Sequence, residues 1–217
     1  MENIKALIFD MDGVITETSE MHYEAWKKTA DKLEIPFDKH FNEQLKGISR
    51  RASLMKILER GNKSCSEDEI QDLMHDKNEF YVSLIEGYTQ NDLNPGIYEL
   101  METLKENGIK IAVASASKSA PMLVEKMNIM QFVDCIVDPA SVPGKPAPDI
   151  FLKAAEILGL DPSLCIGVED AEAGVEAIKS ADMFAIGIGD SEILKKADIV
   201  FEKTSLLTYQ AVMKIIK

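Results

Sequence analysis

Six short apolar runs constrain the fold of this chain more than any other feature: residues 4–9, 109–114, 132–137, 164–168, 184–188 and 198–201. The runs are rich in bulky apolar residues, and most are nearly continuous in apolar character, as strands buried on both faces are. From Asn94-Pro95-Gly96 onward they alternate with helical patterns at 97–107, 119–127, 149–158 and 171–180, two of them closed by Gly108 and Gly159, and a last helix ends the chain. Short buried strands in alternation with helices call for a parallel sheet covered on both faces, and right-handed crossovers bring the strand ends to one edge. The expected class is α/β, with a Rossmann-like doubly wound parallel sheet as its core.

The stretch between the first run and Asn94 breaks the alternation. His22, Trp26, Thr29 and Leu33 fall on one helical face, Ile35-Pro36-Phe37 ends that helix, and Gly47-Ile48-Ser49-Arg50 turns into a second one. Ser66-Glu67-Asp68-Glu69 opens a long helix as a capping box, with an apolar stripe of Ile70, Leu73, Met74, Tyr81, Leu84 and Ile85 whose gap is filled by Lys77. An all-helical insertion of this kind reads as a cap, so the expected division is a core of residues 1–17 and 91–217 and a helical cap of residues 18–90. On local pattern alone His22 is a packed residue, Lys77 either a snorkelling one or one that points into a cleft towards an anionic group, and Arg50 either a solvated side chain or an anion holder at a helix start.

The polar residues collect where the strands end. Asp10 and Asp12 follow the first run, Ser115 the second and Glu169-Asp170 a later one, while Lys145 lies in Pro143-Gly144-Lys145-Pro146-Ala147-Pro148. In open α/β sheets, ligands gather beyond these strand ends. Carboxylates brought together there repel one another and are costly to desolvate without a cation or proton between them. Asp10 as a helix cap and Asp12 as a solvated loop residue is the alternative when that pair is taken alone. A calcium loop is excluded, because Gly13 is fourth and Met21 twelfth where Gly must be sixth and Glu twelfth. A P-loop is excluded by Pro139 and Pro146, and Gly187-Ile188-Gly189 lacks the third glycine of a dinucleotide motif. Three acids, a hydroxyl and one lysine form a set suited to Mg²⁺ and phosphate. The net charge of −13 opposes a nucleic-acid partner. No apolar run approaches a membrane span, and the unpaired Cys65, Cys135 and Cys165, with an opening Met-Glu-Asn-Ile-Lys unlike a secretory signal, point to the cytoplasm.

In this order and register, Asp10-Met11-Asp12-Gly13-Val14, Ser115, Lys145 and Glu169-Asp170 resemble the four motifs of the haloacid dehalogenase superfamily of phosphotransferases, over the whole chain. The segments 9–16, 41–47, 114–118 and 145–149 resemble its glucose-phosphate mutase branch in particular. The resemblance implies that Asp10 is a nucleophile forming an aspartyl-phosphate and Asp12 a general acid and base, with Ser115 and Lys145 supporting the transfer. It implies Mg²⁺ held by Asp10, Glu169, Asp170 and the carbonyl of Asp12. It assigns sugar-phosphate contacts to Thr18, His22, Trp26 and Gly47, to Arg50, Ser53 and Lys77 in the cap, and to Ser117 and Lys118 in the core, with Arg50, Ser117 and Lys118 at a distal phosphate. Two departures stand out: Ser119 replaces a frequent Asn, and the loop before Lys145 is one residue short. The implied reaction interconverts β-D-glucose 1-phosphate and glucose 6-phosphate through a 1,6-bisphosphate, by a monomer acting on a small sugar phosphate. A Mg²⁺-dependent sugar-phosphate phosphatase with the same core residues is the alternative.

Overall fold

The computed structural model describes residues 4–215; the first three residues of the expected core, part of the opening Met-Glu-Asn-Ile-Lys, lie outside the described residues, as do the last two. Six strands, β1 (Ala6–Phe9), β2 (Lys110–Val113), β3 (Cys135–Ile136), β4 (Cys165–Glu169), β5 (Phe184–Ile188) and β6 (Ile199–Phe201), form one parallel sheet in the order β3-β2-β1-β4-β5-β6. The order reverses between β1 and β4, the switch point at which such sheets open a crevice. Leu7, Phe9, Ile111 and Val113 enter one apolar layer, and Ala6, Ile8, Ala112 and Ala114 enter the other. This period of two on a sheet buried on both sides explains why the runs show no apolar–polar alternation.

β3 is shorter than its apolar run suggests. Phe132 and Val133 are drawn into turns through their amides, bonded to Ile129 and Met130 carbonyls, and the Asp134 carboxylate accepts the Ile111 amide at 2.8 Å while pairing with Lys105 at 2.7 Å. A side chain thus occupies a ladder position at this edge, and pairing is confined to two residues.

Helices α1 (Ser19–Lys32), α2 (Lys39–Glu43), α3 (Arg50–Arg60) and α4 (Glu67–Ile85) form the insertion. The short α2, not anticipated from periodicity, is capped by Asp38, whose carboxylate accepts the Phe41 amide at 2.8 Å. The capping box at Ser66 starts α4, with both reciprocal bonds made. Trp26, Ala30, Phe37, Phe41, Leu54, Ile57 and Leu73 build an apolar cluster of the insertion's own. Its two connections run side by side: the Asn94 amide bonds the Ile15 carbonyl at 2.9 Å, the Asn94 side chain donates to the Val14 carbonyl at 2.9 Å, and the Tyr88 hydroxyl donates to the Glu17 carbonyl at 2.9 Å. Helices α5 (Ile97–Glu106), α6 (Ala120–Lys126), α7 (Asp149–Leu158), α8 (Glu172–Ser180) and α9 (Tyr209–Ile215) cover the sheet.

Candidate active site

Asp10 is the first residue past β1, and β4 ends in Glu169, so the neighbouring strands deliver two carboxylates to one spot; Asp170 follows directly. Carboxylate oxygens of Asp10, Glu169 and Asp170 lie within 4.8 Å of one another. Lys145 reaches them from the loop before α7, its ammonium 2.6 Å from Asp10 Oδ1 and 2.6 Å from Glu169 Oε1, with all three side chains buried. The Ala171 amide donates to the other Glu169 oxygen at 2.8 Å.

Two glycines leave room for this cluster. Gly13 adopts φ +79°, a left-handed conformation, and a Cβ there would lie 2.2 Å from Asp170 Oδ2. A Cβ on Gly174, in the first turn of α8, would lie 1.8 Å from Glu169 Oε1.

One lysine cannot neutralise three acids. Burial, together with Glu169 and Asp12, pushes the Asp10 carboxyl up to about 8 despite Lys145, and burial with Glu169 and Asp10 holds Asp170 well above the usual carboxylate range. A compact set of hard oxygen donors with excess negative charge fits a small divalent cation such as Mg²⁺.

Asp12 stands apart from this cluster and is met by a different set of groups. Its Oδ1 accepts a hydrogen bond from the Thr18 hydroxyl and a longer one from Tyr81 at 3.4 Å, while Ser115 Oγ donates to Oδ2 at 3.3 Å. His22 Nε2 lies 3.5 Å from Asp12 Oδ1, beyond good hydrogen-bond reach for this buried and otherwise unpartnered nitrogen. Lys77 Nζ is 2.9 Å from His22 Nδ1, so the ammonium donates to Nδ1 and leaves the imidazole proton on Nε2, facing Asp12. Burial and the Lys77 charge push His22 below its ordinary value, and burial with Arg50 brings the Lys77 ammonium down to about 7 against the pull of Asp12. Burial would raise Asp12, but His22, Thr18 and Lys77 outweigh it and hold the carboxylate below its ordinary range.

The cleft between insertion and sheet is lined by Asp10, Asp12, His22, Trp26, Gly47, Arg50, Ser53, Lys77, Ser117 and Asp170. Of the other anticipated residues, Thr18 is buried behind Asp12, Lys145 lies beneath Asp10, and the Ser115 hydroxyl accepts the Ser117 amide at 3.0 Å. Lys118 is exposed and outside the lining, whereas Arg50 and Ser117 are part of it. Ser119, at the start of α6, donates its amide to Ser117 Oγ at 3.2 Å.

Sequence reasoning missed Tyr81, Asn78, Asn42 and Lys46, which also line the cleft. Tyr81 was part of the apolar stripe, and its ring is indeed buried, packed 4.1 Å from the His22 ring, but its hydroxyl continues to Asp12. Asn78 carried a signal only by following Lys77, since two adjacent polar residues interrupt the buried face of a long helix.

This site and fold define an α/β enzyme with an acidic, cation-accepting site at its sheet's switch point, and comparison with known proteins gives its family. A haloacid dehalogenase-like hydrolase profile matches residues 4–182, and the chain belongs to that family. Within it, the chain is 49% identical to the β-phosphoglucomutase of Bacillus subtilis over 210 residues, covering 95% of this chain and 93% of the relative. The crystal structure of β-phosphoglucomutase from Clostridium difficile superposes with a TM-score of 0.95 at 46% identity, covering 99% of this chain and all of that one. A phosphorylated-carbohydrate phosphatase of Thermotoga maritima is 27% identical over 99% of both chains. In sequence and in structure the chain stands with the β-phosphoglucomutases.

Proposed function

We propose that this enzyme is an isomerase interconverting β-D-glucose 1-phosphate and glucose 6-phosphate, through an aspartyl-phosphate on Asp10 and a β-glucose 1,6-bisphosphate. The observation that carries the mutase reading over simple phosphate release is the cap wall: Arg50, His22 and Lys77 all face the same cleft as Asp10 and Asp12. A phosphatase needs to hold one phosphate, whereas a mutase must hold a second at the far end of the sugar, and Arg50 is a cation placed for it.

In this reading Asp10 attacks the phosphoryl group in line, and Lys145 and Ser115 meet the charge on the transferring oxygens. Asp12, ionised and oriented by Thr18, Ser115 and Tyr81, takes the proton of the attacking sugar hydroxyl in one half-reaction and returns it to the leaving oxygen in the other. Mg²⁺ bound by Asp10, Glu169, Asp170 and the Asp12 carbonyl would screen the nucleophile from the phosphate dianion. The cap excludes water, so the aspartyl-phosphate is kept for a sugar hydroxyl. The unpaired cysteines suit a reducing cytoplasm, and among the described residues no helix is long and apolar enough to cross a membrane.

The test supplies β-glucose 1-phosphate, Mg²⁺ and a trace of 1,6-bisphosphate, then measures glucose 6-phosphate against free phosphate. Glucose 6-phosphate as the main product is expected; mainly free phosphate would overturn the mutase reading in favour of a phosphatase.

A further inference from the structure

Arg50 opens α3 and projects into the cleft, yet among the described residues it has no carboxylate partner; its one hydrogen-bonding side chain is Asn78, whose carbonyl oxygen accepts from Arg50 Nη2 at 2.5 Å. Exposed arginines elsewhere on the cap are held by acids, Arg51 by Glu67 at 2.6 Å and Arg60 by Asp38 at 2.9 Å. A carboxylate would hold Arg50 more firmly, but it would also cancel the charge an anionic ligand is meant to meet. A carboxamide fixes the guanidinium and leaves its charge free.

We propose that Asn78 is a positioning residue for the distal phosphate: a neutral acceptor that holds Arg50 in place while keeping its full charge for the ligand. This rests on the distal-phosphate reading of Arg50. Asn78 follows Lys77 directly on α4, and Lys77 bonds His22 at the Asp12 end of the cleft, so one helix turn supports both ends. A bisphosphate that must bind in either direction, with either phosphate against Arg50, needs that cation in one fixed position.

The experiment compares Asn78→Ala, Asn78→Asp and Arg50→Ala. For each, the half-saturating concentration of β-glucose 1,6-bisphosphate is measured relative to that of acetyl phosphate, which phosphorylates Asp10 but carries no second phosphate. Asn78→Ala is expected to raise that ratio about tenfold, as the loss of a charge-assisted hydrogen bond does. Asn78→Asp is expected to raise it further, although it is the closer isostere, because the new carboxylate neutralises Arg50 and repels phosphate. A merely structural role would give the opposite order, with Asp milder than Ala, and that order overturns the proposal. So does a ratio within twofold of wild type in both Asn78 variants while Arg50→Ala raises it, a result that leaves the mutase reading intact. An unchanged ratio in Arg50→Ala would instead remove the distal-phosphate reading, and this proposal with it.

Discussion

On the core side of the cleft, the buried carboxylates of Asp10 and Glu169 share the ammonium of Lys145, and the half-buried Asp170 adds a third negative charge beside them. On the cap side, Lys77, Arg50 and a protonatable His22 face one carboxylate, Asp12. Each wall is electrostatically incomplete, and in opposite senses: the core lacks a cation and the cap lacks an anion. Buried charges left short of partners cost stability, and natural proteins accept that cost at sites built for a ligand. A phosphorylated sugar arriving with a divalent ion, as proposed, would supply both deficits at once and let a chain of net charge −13 bind an anion. What counts is the sign of the local wall rather than the sign of the whole surface.

Three substitutions can break this contrast between walls. The largest effect belongs to Asp10→Asn, which removes the proposed nucleophile while keeping its shape; it is expected to lower turnover by a factor on the order of 10⁴ or more and to abolish labelling of the protein by a phosphoryl donor. Turnover within tenfold of wild type would show that the core wall is only a metal clamp.

Next comes the cap wall. The Lys77 ammonium is brought down to about 7 in the folded protein from an ordinary 10.5, so between those two pH values the unfolded chain binds more protons than the folded one. Stability contributed through this group therefore rises as pH climbs from about 7 to about 10.5, by about 5 kcal/mol at most, and is flat below that window. Lys77→Met should erase this rise, measured by urea unfolding at pH 7 and at pH 9.5. An unchanged pH dependence in the variant would mean that Lys77 is not held under electrostatic tension.

The smallest effect sharpens the contrast from the core side. Asp170→Asn removes one repelling carboxylate, so without Mg²⁺ the variant should be more stable than wild type by about 1 kcal/mol, and the rise in Tm expected when Mg²⁺ is added to wild type should be lost. A variant less stable than wild type in metal-free buffer would show that the carboxylate cluster is not short of a cation.

Much of the core wall was legible in the chain. Acids and a lysine placed just after buried runs must meet at one edge, because parallel strands joined by right-handed crossovers leave little choice, and the structure brings Asp10, Lys145, Glu169 and Asp170 together there. The cap was legible only in part. The gap that Lys77 makes in the stripe of α4 marked an unusual position, but periodicity could not choose between a snorkelling lysine and one facing a cleft, assigned His22 to packing, and left Tyr81 among the apolar residues. Lys118 was expected at the cleft through the segment 114–118 and stands exposed instead. The apolar run at 132–137 promised a longer strand than β3, because pattern cannot register a carboxylate such as Asp134 taking a ladder position.

The sequence by itself determined the sheet, the edge at which its polar residues collect and the insertion that faces that edge, since these follow from the periods of apolar residues and the handedness of crossovers. Only the tertiary structure decided which face of α4 turns to the cleft, and hence that Tyr81 reaches Asp12 and Asn78 reaches Arg50. The physical reason is that a helix's rotation about its own axis is set by what packs against it. For α4 those neighbours are α1 and α3, whose side chains lie some fifteen to sixty residues away along the chain.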